Sequence, residues 1–208
     1  MARAANYDRD AALDAAMTVF WRNGYHATSL KDLEAALNMK PGSIYAAFQS
    51  KENLYLLAMA RYFDVSRQGF RAQMATAASP LAGLAAQFQI YASLADADPS
   101  RHACMLMKTL IDTKATDPQL AQASQDYLEQ MCDEIARVFD AARTAGEIPM
   151  DADPKRLARR YQANITALRV ELQRGLPSAD IAALAADMTK ETLQLGLSCK
   201  FDVPPENS

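Results

Sequence analysis

Lys40, Pro41, Gly42, Ser43 and Tyr45 form the densest group of chemically useful residues in the chain, and Lys51 follows shortly after. They offer ammonium groups, hydroxyls and a glycine backbone. That set suits hydrogen bonding and charge pairing with phosphates and base edges. Pro41 belongs in the first turn of a helix, where a missing N–H loses no bond. Ile44 and Phe48 lie four apart and turn inward together. Lys40, Gly42, Ser43 and Tyr45 then fall on or near the outward side of the helix start. A short helix with such an N-terminus has the form that enters a DNA major groove.

Such a helix needs a scaffold, and the preceding residues supply one. Leu30, Leu33 and Leu37 share one face of a short helix. Asn38 follows, a residue that tolerates a left-handed turn. Thr28 or Ser29 caps that helix, and Ser29-x-x-Asp32 resembles a capping box. Both hydroxyls also count as candidate DNA contacts. Residues 8–23 carry Leu13, Ala16, Met17 and Phe20 on one face, and Asn23-Gly24 stops them. Ser50 caps a further helix through Leu54, Leu57, Ala58 and Arg61. Trp21, Leu33, Ile44 and Phe48 are the expected core. Three helices pack together and a fourth leads away, with Lys51 at its start as a phosphate contact.

The run Gly24-Tyr25, Thr28-Ser29-Leu30, Asp32-Leu33, Pro41-Gly42-Ser43-Ile44-Tyr45-x-x-Phe48-x-Ser50-Lys51-Glu52-x-Leu54 resembles the signature of the TetR family of bacterial transcriptional regulators. The resemblance spans about residues 8–60. The family often carries Ala, Ala and Gly where this chain has Glu34, Leu37 and Asn38. These changes bear on how the two helices cross, not on the fold. The resemblance implies double-stranded operator DNA as partner and repression as the usual mode.

Composition agrees with an all-α fold. Glycine is scarce, Ala, Leu, Met and Gln are common, and no alternating strand-like run stands between turn residues. The reading is a helix-turn-helix DNA-binding domain at 1–50, a connecting helix at 51–76, and a ligand-binding and dimerisation domain over 51–208. The net charge of -3 looks wrong for a DNA binder. Residues 1–66 carry seven basic and seven acidic side chains, so that part is neutral and only locally positive, at Lys31, Lys40 and Lys51. Phosphate binding therefore relies on few cations, helix N-termini and hydroxyls, doubled in a dimer. No apolar leader or membrane-length run is present, and Cys104, Cys132 and Cys199 are odd in number and widely spaced. A cytoplasmic, disulfide-free protein is expected.

Past residue 50 the pattern predicts helices at about 51–76, 80–96, 98–114, 116–145, 153–174 and 178–197, several opening on a polar residue followed by Pro. The resemblance implies a homodimer through the last two helices. Ile165, Leu168 and Leu172 form a stripe on one, and Ile181, Leu184, Met188, Thr192 and Leu195 on the other. Spacing alone does not separate interface from core. The resemblance also implies a pocket for a small-molecule effector. Phe63, Phe70, Phe88, Tyr91, Met105, Tyr127, Met131 and Tyr161 supply adaptable apolar lining, with Cys104 and Lys108 beside them.

Cys104 has two readings. Arg101 and Lys108 flank it at three and four residues near a helix start, which favours a reactive thiolate and oxidant sensing. Packing is the other. An enzyme has little support. His26 and His102 are the only histidines, and there is no metal-ligand spacing, phosphate-binding glycine loop or nucleophile elbow. No cofactor or metal is expected. A pure protein-interaction module would not need Lys40-Pro41-Gly42-Ser43 at an exposed helix start.

Overall fold

Asp8 accepts hydrogen bonds from the Asp10 and Ala11 amides and starts α1, Arg9–Asn23, which Gly24 ends at φ 84°. Ser29 and Asp32 form the expected capping box of α2, Leu30–Leu37. The computed structural model describes residues 8–94, 98, 101 and 103–197. Among these the helices continue as α3 (Pro41–Phe48), α4 (Lys51–Thr76), α5 (Pro80–Ala92), α6 (Met105–Thr113), α7 (Pro118–Thr144), α8 (Pro154–Arg174) and α9 (Ser178–Leu197). The described residues hold no strand. The all-α expectation stands.

One element departs from expectation. The helix predicted from about residue 98 starts at Met105, with Cys104 as its N-cap. Arg101 sits in a short 3₁₀ turn, donating its amide to the Asp98 carbonyl. The long helix therefore does not begin at Asp98. His102 and Cys199 lie outside the described residues.

The chain divides into two compact units, with breaks inside α4, just before α6 and inside α7. The first holds residues to Arg67 together with Cys104–Leu128, so it extends beyond residue 50. Phe20, Leu33, Ile44, Phe48, Leu54, Tyr55 and Met59 are buried there. Phe20 meets Tyr55 edge-on at 4.7 Å. The Tyr55 hydroxyl donates to Thr109 Oγ1 at 2.6 Å, since Thr109 donates in turn to the Met105 carbonyl. Lys108 Nζ donates to the Trp21 and Arg22 carbonyls, 3.0 and 3.1 Å away. It thereby satisfies carbonyls at the end of α1, where a cation also meets the negative end of the helix dipole.

The second unit holds Gln68–Ala103 and residues from Glu129 on. Its core includes Leu84, Phe88, Phe139, Tyr161, Leu168, Leu172, Ile181 and Ala185. The Tyr161 hydroxyl donates to the Leu84 carbonyl at 2.8 Å. Gly196 is required here, because a Cβ at that position would lie 2.6 Å from the Glu147 carbonyl oxygen.

Candidate nucleic-acid interface

The turn between α2 and α3 is set by Asn38, which adopts the left-handed conformation at φ 50°, ψ 44° and donates its amide to the Glu34 carbonyl. Leu37, bulkier than the residue the family often uses, is buried. Lys40 then takes an extended conformation as the N-cap of α3 and makes no side-chain cap, with Pro41 at the first turn. Ile44 and Phe48 face inward at 2% and 1% exposure, while Tyr45 stands out at 45%. Lys40, Gly42 and Ser43 are exposed with it.

Gly42 is informative. Its φ is not positive, and a Cβ there would meet nothing within 4 Å. Glycine in a helix costs roughly 0.5–1 kcal/mol relative to alanine. Within the protomer nothing offsets that cost, in contrast to Gly196.

The other candidates divide. Ser29 is exposed, but its hydroxyl accepts the Asp32 amide and donates to Asp32 Oδ2 at 2.7 Å. Donation from the Ser29 hydroxyl, and from its backbone amide, holds the Asp32 carboxyl below its usual range. Thr28 is a correction: it is fully buried and its hydroxyl donates to the Gly24 carbonyl at 2.6 Å, so it braces the α1–α2 turn. Lys51 is half-buried, its Nζ 4.6 Å from the centre of the Tyr25 ring. Burial pushes its pKa down, while Asp117 and Asp32 pull the other way.

The sequence reading missed three features of this unit. Gln49, between α3 and α4, has φ 67° and ψ -56°, and Ser50 donates its amide to the Phe48 carbonyl across it. That is the strained form of a three-residue turn. Arg9 lies over the Phe48 ring at 5.2 Å. His26 Nε2 lies 3.0 Å from Thr116 Oγ1 and 3.3 Å from Asp117 Oδ2. None of these has a sequence signal, because each partner is distant in the chain or is set by backbone angles.

The pattern of the bacterial regulatory proteins, tetR family, matches residues 12–58. That of the tetracyclin repressor-like C-terminal domain matches residues 80–175. The HTH-type transcriptional repressor ComR of Escherichia coli strain K12 is 30% identical over 171 residues, covering 81% of each chain. The chain belongs to the TetR family. It is therefore a DNA-binding transcriptional regulator. A cysteine-substituted form of the TetR-family regulator CifR, solved with 26 base pairs of double-strand operator DNA, is 28% identical. It superposes with a TM-score of 0.75 over 90% of this chain and 98% of that one. A TetR-family regulator from Cytophaga hutchinsonii shares the fold at 21% identity, with a TM-score of 0.77 over 91% and 93% of the two chains.

The residues proposed for a pocket are divided between the two units. Phe63, Cys104, Met105, Lys108 and Tyr127 lie in the first unit, and Phe70, Phe88, Tyr91, Met131 and Tyr161 in the second. Met105, Phe88 and Tyr161 are core, and Phe63 stacks on Tyr127 at 4.8 Å. Only Phe70 of the ten lines the open cavity of the second unit. The Lys108 amine is engaged by the α1 carbonyls of Trp21 and Arg22. Arg101 donates to the Leu94 carbonyl. Cys104 is a free, half-buried cysteine at the N-cap of α6 and makes no side-chain cap.

The residues of the proposed dimer stripes also serve the protomer's own core. Leu168, Leu172, Ile181 and Thr192 are buried within the protomer. Ile165, Leu184, Met188 and Leu195 pack partly buried against the same core. The spacing marked the inward faces of α8 and α9. Their outward faces carry Ala163, Ala167 and Val170, and Ala183, Ala186 and Leu193.

Proposed function

We infer that this regulator represses transcription as a homodimer that inserts one α3 from each subunit into successive major grooves of an operator. The observation that carries this reading is the first turn of α3. It exposes Lys40, Gly42, Ser43 and Tyr45, none of which the fold needs outside, and leaves Gly42 bare where alanine would be more stable. A glycine of this kind lets a second backbone approach closely. CifR, similar over nearly its whole length, supports the reading through its structure with operator DNA. Lys40 and Ser43 supply phosphate and base-edge partners, and Tyr45 packs on the sugar-phosphate backbone. Lys51, held over Tyr25, is a phosphate contact of fixed position.

Two subunits joined through the outward faces of α8 and α9 would set the recognition helices about 34 Å apart, one turn of DNA. A small-molecule effector that binds the two states of the dimer unequally would release it. No helix among the described residues is long and apolar enough to cross a membrane. The reading places the protein in the cytoplasm, acting by binding and without a cofactor.

The test is fluorescence anisotropy with a labelled duplex from upstream of the protein's own gene. Replacing Lys40 and Tyr45 together by alanine should weaken binding at least about 100-fold. Lys51→Ala should weaken binding to all sequences alike and lower the salt slope by about one per subunit. Undiminished affinity in the folded double variant would overturn the assignment of α3.

A further inference from the structure

The second unit contains an open cavity of about 470 Å³. The second half of α4, the α4–α5 turn and α7 enclose it, and the lining includes Phe70, Met74, Pro80, Val138 and Ala141. That volume falls in the range of about 300–1,000 Å³ that takes a drug-sized molecule.

The lining is apolar or small, with one concentrated exception. Glu134, 9% exposed, lies on the wall between Arg71 and Arg137. Arg71 donates from Nε to Glu134 Oε2 at 3.2 Å and from Nη2 to Oε1. Arg137 Nη1 lies 3.0 Å from Glu134 Oε1. The carboxylate is ionised: burial pushes its pKa up, but the hydrogen bonds from both arginines outweigh that and hold it below its usual range. Two guanidinium groups facing one carboxylate leave a net charge of plus one beside an apolar surface. The side chains of Arg71 and Arg137 are 56% and 67% exposed, so their remaining N–H groups are within a ligand's reach. A guanidinium carries five N–H donors in a fixed fork, of which Arg71 commits two and Arg137 one to Glu134. The start of α5 adds no further anion partner, because Glu147 already accepts the Leu81 amide and Ser79 the Ala82 amide.

We propose that this cavity binds an anionic amphiphile, a molecule with an apolar body and a single carboxylate, sulfonate or phosphate group. The apolar body lies on Phe70, Met74 and Val138, and the anion pairs with Arg137 and the outer edge of Arg71. Glu134 orients both arginines and prevents the site from carrying two uncompensated charges in the free protein. As the effector site, the proposal rests on reading the C-terminal helices as a sensor. As a binding site, it does not.

The probe is 1-anilinonaphthalene-8-sulfonate, compared with N-phenyl-1-naphthylamine, the same aromatic body without the sulfonate. Fluorescence titration of the full chain should give one sulfonate site per subunit and a markedly weaker neutral one. Arg137→Gln leaves the Arg71–Glu134 pair intact and should weaken the sulfonate about tenfold with little effect on the amine. Ala141→Trp, at an exposed position, should weaken both by filling the space. Equal affinity of the two probes for the wild type, or sulfonate binding that both variants leave unchanged, would overturn the site. Displacement of the sulfonate by octyltrimethylammonium but not by octanoate would reverse the assigned ligand charge and overturn it too. Operator binding is measured in parallel by anisotropy. Sulfonate binding that follows the expected variant pattern but leaves operator affinity unchanged supports the site and overturns its role as effector site.

Discussion

Helix α3 and the pair α8–α9 were both singled out from sequence, by opposite kinds of evidence, and they fared differently. On α3 the informative residues are polar or small at positions where the fold has no use for them, and they stand on the surface. On α8 and α9 the informative residues were apolar stripes, and these proved to be the protomer's own core. An apolar stripe reports which face is buried without saying by whom. A bare glycine, a lysine N-cap without a capping bond and an exposed tyrosine report a surface kept for something else.

The contrast is broken most forcefully at Leu168. It is fully buried, so Leu168→Glu should cost more than about 4 kcal/mol and unfold the protomer. Ala186→Glu, on the exposed face of α9, should leave melting nearly unchanged while shifting sedimentation from dimer to monomer. A folded monomeric Leu168→Glu would place the interface back on the inward stripe.

Within α3 the same division runs between its two faces. Phe48→Ala should cost about 3–5 kcal/mol in a denaturant titration, since its ring is 1% exposed. Replacing Lys40 and Tyr45 by alanine should leave that titration within about 0.5 kcal/mol of wild type, with the loss confined to DNA binding.

Tyr55, behind α3's scaffold, sharpens the inner side through pH. Burial pushes its pKa up to about 12, against the weaker opposing effect of its bond to Thr109. The folded state holds this proton more tightly than the unfolded chain. Its contribution to stability is therefore complete below the ordinary tyrosine value near 10 and lost as pH rises through about 12. Tyr55→Phe should cost about 1 kcal/mol at neutral pH and abolish that alkaline loss, as followed by thermal melting at successive pH values.

The smallest effect is expected at Gly42. Gly42→Ala should stabilise the protein by about 0.5 kcal/mol and weaken operator binding. A variant more stable and equally tight on DNA would remove the argument that this glycine serves the partner.

What could be read in the chain follows from the range of the interactions. The helices, the capping box at Ser29 and Asp32, the turn at Asn38 and the outward face of α3 all depend on residues within about four positions of each other. Local spacing therefore determined them, and with them the family and the function class. Lys108 was placed beside Cys104 by that same spacing, yet its amine crosses to the end of α1, 86 and 87 positions away. Thr28 was counted as a DNA contact because hydroxyls at helix starts are common ones, yet burial committed it to Gly24. The charged wall of the cavity joins Arg71 to Glu134 across 63 positions. Only the tertiary structure decided these, because a side chain's partner is fixed by which helices pack together, and that is a property of the assembled core rather than of neighbouring residues.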